Sequence, residues 1–340
     1  MNEMNETNEI TETGYDLKPA RKTFSRIGIA LCVILLAALI AQVLFLAIAT
    51  VIEGEQNWFL TSSWGFWVLS FAPLYAVAIP CGLLLMRKLP RQKPEDHKMG
   101  AAEFIMLIPI CMCLMYGGSI IGNILSSVLS GGTAENQLLE YAMDSNPLKI
   151  VVMVILAPLL EEYVCRKQII DRTRQYGEKV AVVLSAVAFG LLHQNLFQFF
   201  YAFAVGLVFG YVYIRTGRMR YTVALHSILN FMGSVLAPWV LTLVDPDLMV
   251  SLDPNMPPDE LMAIYSQILP GLMIYLLYAF ALFGLSIAGI VLIIVNRKKV
   301  IWKEAENPLP KGTAFKTAYL NVGMILYIVV CLASFVIALL

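Results

Sequence analysis

The sequence predicts an all-α protein, a polytopic membrane bundle of about nine transmembrane helices. Two observations concern composition: 59% of the 340 residues are hydrophobic and only 14% are charged, whereas soluble domains carry about 25% charged residues. The third is that basic residues concentrate in alternate connecting segments. This composition excludes an ordinary soluble enzyme. Because 24 basic and 24 acidic residues cancel, the chain also lacks a net positive charge to attract nucleic acid.

Nine apolar segments are the candidate membrane helices. A helix needs roughly 20 residues to cross the hydrocarbon core, and seven segments approach or exceed this length, while two are shorter. The segments are 27–52, 64–86, 104–129, 148–165, 180–193, 197–214, 221–243, 268–295 and 317–340.

These segments divide the chain into four parts. Residues 1–16 contain five acids and no base, so we expect a disordered acidic tail. Residues 17–147 carry the first three helices and 148–243 the next four. Residues 244–340 comprise an outer loop and the last two helices. The connecting segments are too short for an appended soluble domain.

The connecting segments alternate in charge. Five of them hold 23 of the 24 basic residues: 17–26, 87–103, 166–179, 215–220 and 297–316. Three others hold ten acids and no base: 53–63, 130–147 and 244–267. Because Lys and Arg accumulate in cytoplasmic loops, we predict a cytoplasmic N-terminus and a C-terminus outside.

Small residues recur at helical spacing in two of the segments. Gly118 and Gly122, and likewise Gly206 and Gly210, repeat the four-residue spacing that lets membrane helices approach closely. We interpret both pairs as packing sites. The six cysteines all lie in or at the edge of apolar segments, which predicts packing residues rather than disulfides.

Four ionisable side chains lie within the apolar segments or at their ends: Glu161, Glu162, His193 and His226. Each costs at least ~2–3 kcal/mol near the centre of a span unless it is paired or hydrated, so such residues indicate function by default. One of them alone could serve merely to pin a helix end. Four such residues, whose depths can be checked against one another, predict a functional site.

Their depths can be compared from the flanking charges. If Arg166 and Arg220 mark the cytoplasmic interface, Glu161 and His226 lie five and six residues inside, roughly 8–9 Å at 1.5 Å per residue. If the helix of Glu161 turns at Gly177, His193 lies as far after the turn as Glu161 lies before it. Counting back along the sixth segment instead places His193 deeper than His226. A short, tilted or half-spanning fifth and sixth helix would reconcile these two estimates.

The acids have different relations to Arg166. Glu162 and Arg166 are spaced i, i+4 with the acid first, the arrangement that favours a helical ion pair, so we assign Glu162 to structure. Glu161 is then free to face a cavity as a general base. His226 and Asn230 are one turn apart, and both can donate hydrogen bonds. They suit the stabilisation of an oxyanion.

At these residues the sequence resembles the CPBP family of intramembrane proteases, which includes type II CAAX prenyl endopeptidases, Abi bacteriocin-immunity proteins and proteins of the lysostaphin-resistance type. The motif EExxxR stands as Glu161, Glu162 and Arg166, FxxxH as Phe189 and His193, and HxxxN as His226 and Asn230. A GLxxGxxYxxTG stretch occupies residues 206–217. The resemblance covers about 148–243.

The resemblance implies an all-helical, multi-pass hydrolase of the bacterial plasma membrane, with a four-helix catalytic core at 148–243. It implies that Glu161 and His193 activate water while His226 and Asn230 stabilise the tetrahedral oxyanion, with Glu162, Arg166 and Phe189 supporting them. No cofactor is needed for this chemistry. The alternative is a Zn²⁺ site formed by Glu161, His193 and His226, since hydrolytic zinc sites use three protein ligands.

Other functions give different expectations. A bacteriocin-immunity or scaffold protein could keep the motifs without proteolysis, and a transporter would need a proton relay across the bilayer, for which the sequence shows no inverted repeat. Other membrane proteases lack their residues here: there is no HExxH and no Asp in any apolar segment, and Ser234 is a poor nucleophile candidate. The expected partners are the lipid bilayer and a peptide or membrane-protein substrate, prenylated or not.

Overall fold

The computed structural model describes residues 14–54, 56–244, 248, 250 and 256–340. These residues form twelve helices and no β-strand, which confirms the all-α prediction for them. Most of the predicted acidic tail, residues 1–13, lies outside the described residues. The helices are α1 (Lys18–Glu53), α2 (Trp58–Thr61), α3 (Ser63–Met86), α4 (Ala101–Ser130), α5 (Gln137–Met143), α6 (150–176), α7 (Glu178–Leu192), α8 (Leu196–Thr216), α9 (Met219–Thr242), α10 (Pro258–Lys299), α11 (Ala314–Tyr319) and α12 (Val322–Ile337).

Six helices, α1, α3, α4, α8, α9 and α10, are long and apolar enough to cross a membrane. The chain is therefore a multi-pass membrane protein with six candidate spans. The other three predicted segments are helical too: α7 has 15 residues and α12 has 16, while the first part of α6 contains Glu161 and Glu162. For these three, crossing of the membrane stays a prediction.

Two boundaries differ from the sequence prediction. α1 begins at Lys18 rather than near 27, because Pro19 occupies its first turn, where the fixed φ of proline favours a helix. α10 begins at Pro258, so the end of the predicted outer loop is helical. Residues 245–247, 249 and 251–255 of that loop lie outside the described residues.

α6 changes its hydrogen-bond register four times along its length. Residues Ile150–Leu156 and Tyr163–Ile170 are π-helical, and Ala157–Glu162 between them are α-helical. π-helical turns release or redirect backbone carbonyls and are frequent at functional sites. Glu161 and Glu162 therefore lie on one α-helical turn and a half between two irregular stretches.

α7 and α8 form an antiparallel pair, and glycines allow their close approach. A Cβ at Gly210 would lie 3.0 Å from the Val182 side chain, and one at Gly206 would lie 3.2 Å from the Cα of Ala186. Gly122 of α4 similarly faces the start of α8, where a Cβ would lie 2.5 Å from the carbonyl oxygen of Leu196. The packing interpretation of these glycines is confirmed.

Gly177 makes the turn between α6 and α7. Its φ of +142° is a conformation that side-chain-bearing residues rarely adopt. The chain reverses there, so that α7 returns antiparallel to α6. The short α7 then ends at His193. All six cysteines are free, as predicted.

Two extended segments cover the end of the bundle that carries the basic loops. In the first, residues 87–100, the amide of His97 donates to the carbonyl of Thr216 at 2.9 Å. In the second, residues 300–313, the amide of Lys303 donates to the carboxylate of Glu178 at 2.8 Å. The ammonium of Lys303 also donates to Glu95 at 2.6 Å, which joins the two segments.

Candidate active site

Glu162 and Arg166 form a fully buried ion pair. Nε of Arg166 lies 2.9 Å from one oxygen of Glu162 and Nη2 lies 3.3 Å from the other, and neither side chain is exposed. Nη1 of Arg166 donates to the Ser185 hydroxyl of α7 at 2.7 Å, which in turn donates to the Cys165 carbonyl at 2.8 Å. A buried charge needs this complete set of partners, so the pair ties α6 to α7.

Two aromatic rings cover the guanidinium of Arg166. Its central carbon lies 4.9 Å from the ring centre of Phe189 in α7 and 5.6 Å from that of Phe209 in α8. Cation–π attraction is strongest when water is excluded. Arg166 therefore joins three helices, and Phe189 of the FxxxH motif supports the charged pair directly.

His226 of α9 lies between the two glutamates. Its Nδ1 is 3.3 Å from an oxygen of Glu162, and its Nε2 is 3.8 Å from an oxygen of Glu161. Because Arg166 keeps Glu162 as a carboxylate, which only accepts hydrogen bonds, Nδ1 of His226 carries the proton in that contact. Nε2 therefore faces Glu161, and the depth matching of Glu161 and His226 predicted from the sequence is confirmed.

His193 follows the last residue of α7. Its Nδ1 lies 2.8 Å from the carbonyl of Phe189, which can only accept, so Nδ1 donates and Nε2 keeps its lone pair. Gln194 then adopts φ +56°, and Asn195 begins α8 while its amide donates to the His193 carbonyl at 2.7 Å. This tight turn determines where the imidazole lies.

Both imidazoles pack against the ring of Phe189. The ring centre of His193 is 5.1 Å from that of Phe189, and that of His226 is 5.5 Å from it, both nearly perpendicular. The Phe189 ring thus links the two imidazoles, and the relative membrane depth of His193 and His226 stays a prediction.

Asn230 bonds a backbone group that proline leaves free. In the π-helical register of α6 the amide of Ala157 donates to the carbonyl of Val152, five residues earlier. In that register the amide of residue 158 would donate to the carbonyl of Met153, but residue 158 is proline and has no N–H. The side-chain amide of Asn230 donates to the Met153 carbonyl instead, at 2.7 Å, which leaves its second N–H for another acceptor.

Glu161 differs from its neighbour in exposure. Its side chain is 29% exposed, whereas Glu162 is fully buried. Tyr75 of α3 and Tyr201 of α8 are near enough to interact electrostatically with Glu161, and the Tyr201 hydroxyl accepts a hydrogen bond from Gln198 at 2.9 Å. The carboxylate of Glu161 can therefore reach water or a ligand, with two phenols beside it.

Sequence reasoning did not find Ser185, Tyr75, Tyr201 or Met153 as parts of this region. Ser185 and Met153 act through tertiary hydrogen bonds that no spacing along the chain indicates. Only Pro158, three residues before Glu161, carried a usable signal, since a proline inside a helix frees a carbonyl.

The predicted alternative zinc ligands are Glu161, His193 and His226. Their donor types suit zinc, and a histidine whose Nδ1 donates to a carbonyl or carboxylate is oriented as metal ligands usually are. Within the described ranges, however, no three His, Cys, Asp or Glu side chains lie close enough together to hold a metal ion.

Comparison with known proteins identifies the relatives of this region. Residues 144–232 match the family model described as Type II CAAX prenyl endopeptidase Rce1-like. The chain is also 28% identical over 175 residues to "Putative membrane peptidase YdiL" of Bacillus subtilis (strain 168), an alignment that covers 49% of this chain and 69% of the relative. No solved structure matches. The resemblance inferred from the three motifs is confirmed, since all three lie within 144–232.

Proposed function

We propose that the protein is an intramembrane endopeptidase that hydrolyses a peptide bond near the end of the bundle that carries the basic loops. The observation that carries this proposal is the unequal use of two consecutive acids. Glu162 is fully buried in an ion pair with Arg166, whereas Glu161 is partly exposed opposite Nε2 of His226. A carboxylate that is held near imidazoles and open to a ligand suits general-base chemistry.

In this proposal Glu161 and His193 activate water. Glu161 takes a proton from the water molecule, and the resulting hydroxide forms the new C–O bond at the scissile carbonyl carbon. His193 assists through Nε2, the nitrogen that its bond to the Phe189 carbonyl leaves with a lone pair. The proton passes to the amine nitrogen as the C–N bond breaks. The hydroxyl of the water thus ends on the acyl product and its proton on the amine product.

His226 and Asn230 stabilise the oxyanion of the tetrahedral intermediate. Nδ1–H of His226 is directed at Glu162, so the ring can donate to substrate only through Nε2, and it must be protonated to do so. Asn230 contributes the amide N–H that the Met153 carbonyl does not use, and each such donor is worth about 10²–10³ in rate.

We propose the substrate class and the orientation from the family relation and the charge distribution. The substrate is a peptide or a membrane-protein segment, and the family description names prenylated CAAX termini as one such class. The N-terminus is cytoplasmic and the C-terminus outside, with nine crossings of a bacterial plasma membrane, three of them by α6, α7 and α12.

A comparison of membrane peptidomes tests the proposal. Cells with the wild-type chain should release peptides that are absent from cells with Glu161→Gln at equal protein abundance. Glu140→Gln, which changes an exposed acid of α5, is the matched control and should give the wild-type peptidome. Identical peptidomes for wild type and Glu161→Gln would contradict proteolysis and favour a non-enzymatic role.

A further inference from the structure

A groove lined by three arginines lies at the end of α3. It has a volume of about 260 Å³ and lies between α3, the segment that follows it and the second half of α6. Its lining includes Arg87, Arg91 and Arg172 together with Leu83 and Leu84. We call it the arginine groove.

The end of the candidate span formed by α3 indicates the membrane level at which the arginine groove lies. The candidate span formed by α3 ends at Met86, and Arg87 is the next residue. Leu84 is 65% exposed, as expected of a side chain that faces lipid. The groove therefore combines apolar and cationic side chains at the end of the candidate span, where lipid headgroups are expected.

The positive charge of the groove is only partly neutralised. Arg91 pairs with Asp171 at 3.2 Å, and the other oxygen of Asp171 accepts from the Tyr213 hydroxyl at 2.8 Å. In the part of the chain that the structure describes, no carboxylate lies at ion-pair distance from Arg87 or Arg172. Arg87 thus has no carboxylate partner there, while Arg172 interacts electrostatically with its chain neighbour Asp171, which also pairs with Arg91.

Arg172 is the most constrained of the three arginines. It is 2% exposed, and its partners are neutral: the Met86 carbonyl at 3.0 Å and the carbonyl and side-chain oxygens of Gln168 at 3.0 and 2.7 Å. Burial and then the nearby charge of Arg91 lower the pKa of Arg172. Two cations that repel each other in a confined groove favour the binding of an anion.

A fourth cation lies close by. The ammonium of Lys167 lies 5.5 Å from the ring centre of Tyr163, which itself lines the groove. Basic pockets between membrane helices at the headgroup level bind anionic lipid headgroups, and guanidinium groups bind phosphate with two parallel hydrogen bonds.

We infer that the arginine groove binds the phosphate of an anionic phospholipid headgroup, with the acyl chain lying along Leu83 and Leu84. The phosphate supplies the missing counter-charge for Arg87 and adds to the one that Asp171 gives Arg91 and Arg172, and the acyl chain covers the apolar side chains. This site is independent of the proposed proteolysis, because it involves neither Glu161 nor either active-site imidazole.

Lipid titration of the purified full chain in a neutral detergent tests the inference. The probe is phosphatidylglycerol, and native mass spectrometry measures the fraction of protein with bound lipid. The variant is Arg87→Gln with Arg91→Gln, and the matched control is Arg297→Gln with Lys298→Gln, which removes two exposed cations from the same end of the bundle. At ~1 kcal/mol per basic residue, the groove variant should bind about 30-fold more weakly, and the control should change less than about threefold.

Three results would overturn the inference: equal binding of phosphatidylcholine with the same chains, equal occupancy by inorganic phosphate alone, or equal loss in variant and control. The second would indicate an ion site without a lipid. Displacement of phosphatidylglycerol by a peptide with a free C-terminal carboxylate, but not by its amide, would assign the groove to a peptide instead. Because Arg91 pairs with Asp171, Arg87→Gln alone, with an expected loss of about fivefold, decides the matter if the double variant fails to fold.

Discussion

Nδ1 of His226 lies 3.3 Å from an oxygen of Glu162, while Nε2 of the same ring lies 3.8 Å from an oxygen of Glu161. Two consecutive acids of α6 thus face the two nitrogens of one imidazole. One acid is buried and bonded to Arg166, and the other is partly exposed. This asymmetry gives the two acids separable roles.

Glu161→Gln should therefore mainly affect turnover, and Glu162→Gln should mainly affect stability. Glu161→Gln should lower turnover by about 10²–10⁴, the usual contribution of a general base, at normal abundance. Glu162→Gln leaves Arg166 buried without its counter-ion, which costs about 3–5 kcal/mol, so it should mainly lower abundance and the midpoint of thermal unfolding. Peptide-release assays and thermal unfolding in detergent measure the two effects. A stable Glu162→Gln protein without turnover would reverse the assignment.

Asn230→Ala tests the oxyanion donor. Loss of its N–H should reduce kcat by about 10²–10³ with little change in KM. The side-chain amide of Asn230 also donates to the Met153 carbonyl. A control must therefore disturb the same turn of α9 and keep the Asn230 side chain. Ser234→Ala serves, because the Ser234 hydroxyl donates to the Asn230 carbonyl at 2.6 Å, and it should lower kcat less than about threefold by comparison. Equal losses in the two variants would indicate a packing role for Asn230.

Metal analysis separates the proposed mechanism from the zinc alternative. We expect purified protein to lack stoichiometric zinc and to keep its activity in chelator. His193→Ala and His226→Ala should lose turnover without any change in metal content. Stoichiometric zinc that disappears in both variants would overturn the mechanism. Glu161 would then be the third ligand or the base acting on bound water.

Labelling of introduced cysteines tests the topology. Exposed residues in the connecting segments are suitable probes. In a background without the six native cysteines, Lys98→Cys and Lys298→Cys should react from the cytoplasm, and Glu135→Cys and Asp259→Cys from outside. Reaction of all four from one side would contradict the proposed orientation.

The contact of Glu95 with Lys303 should be sensitive to acid. Hydrogen bonds from Lys303 and then from His97 lower the pKa of Glu95 from 4.5 to about 2. Because the folded state lowers this pKa, the contact contributes fully above about pH 4.5 and is lost as the pH falls toward 2. Amide hydrogen exchange in residues 300–313, corrected for intrinsic rates, should accelerate over that range. Glu95→Gln should remove the pH dependence, and the effect on overall stability should be small because the pair is exposed.

The sequence alone determined the membrane class, the helical architecture and the candidate site residues. Hydrophobic run length and charge alternation are local properties, and the bilayer forces any long apolar segment to satisfy its backbone within a helix. The i, i+4 spacing of Glu162 and Arg166 predicted their pair for the same reason. Likewise, ionisable residues in apolar segments are costly, which made Glu161, His193 and His226 conspicuous.

Only the tertiary structure decided how these residues are connected. The π-helical register of α6 and Pro158 together free the Met153 carbonyl, and Asn230 reaches it from a helix 77 residues away. The turn at Gln194 and Asn195 places His193, and the ring of Phe189 contacts both His193 and His226. The arginine groove likewise forms where the end of α3 meets α6. Contacts between helices depend on side-chain geometry in three dimensions, whereas periodicity along the chain specifies only which face each helix offers.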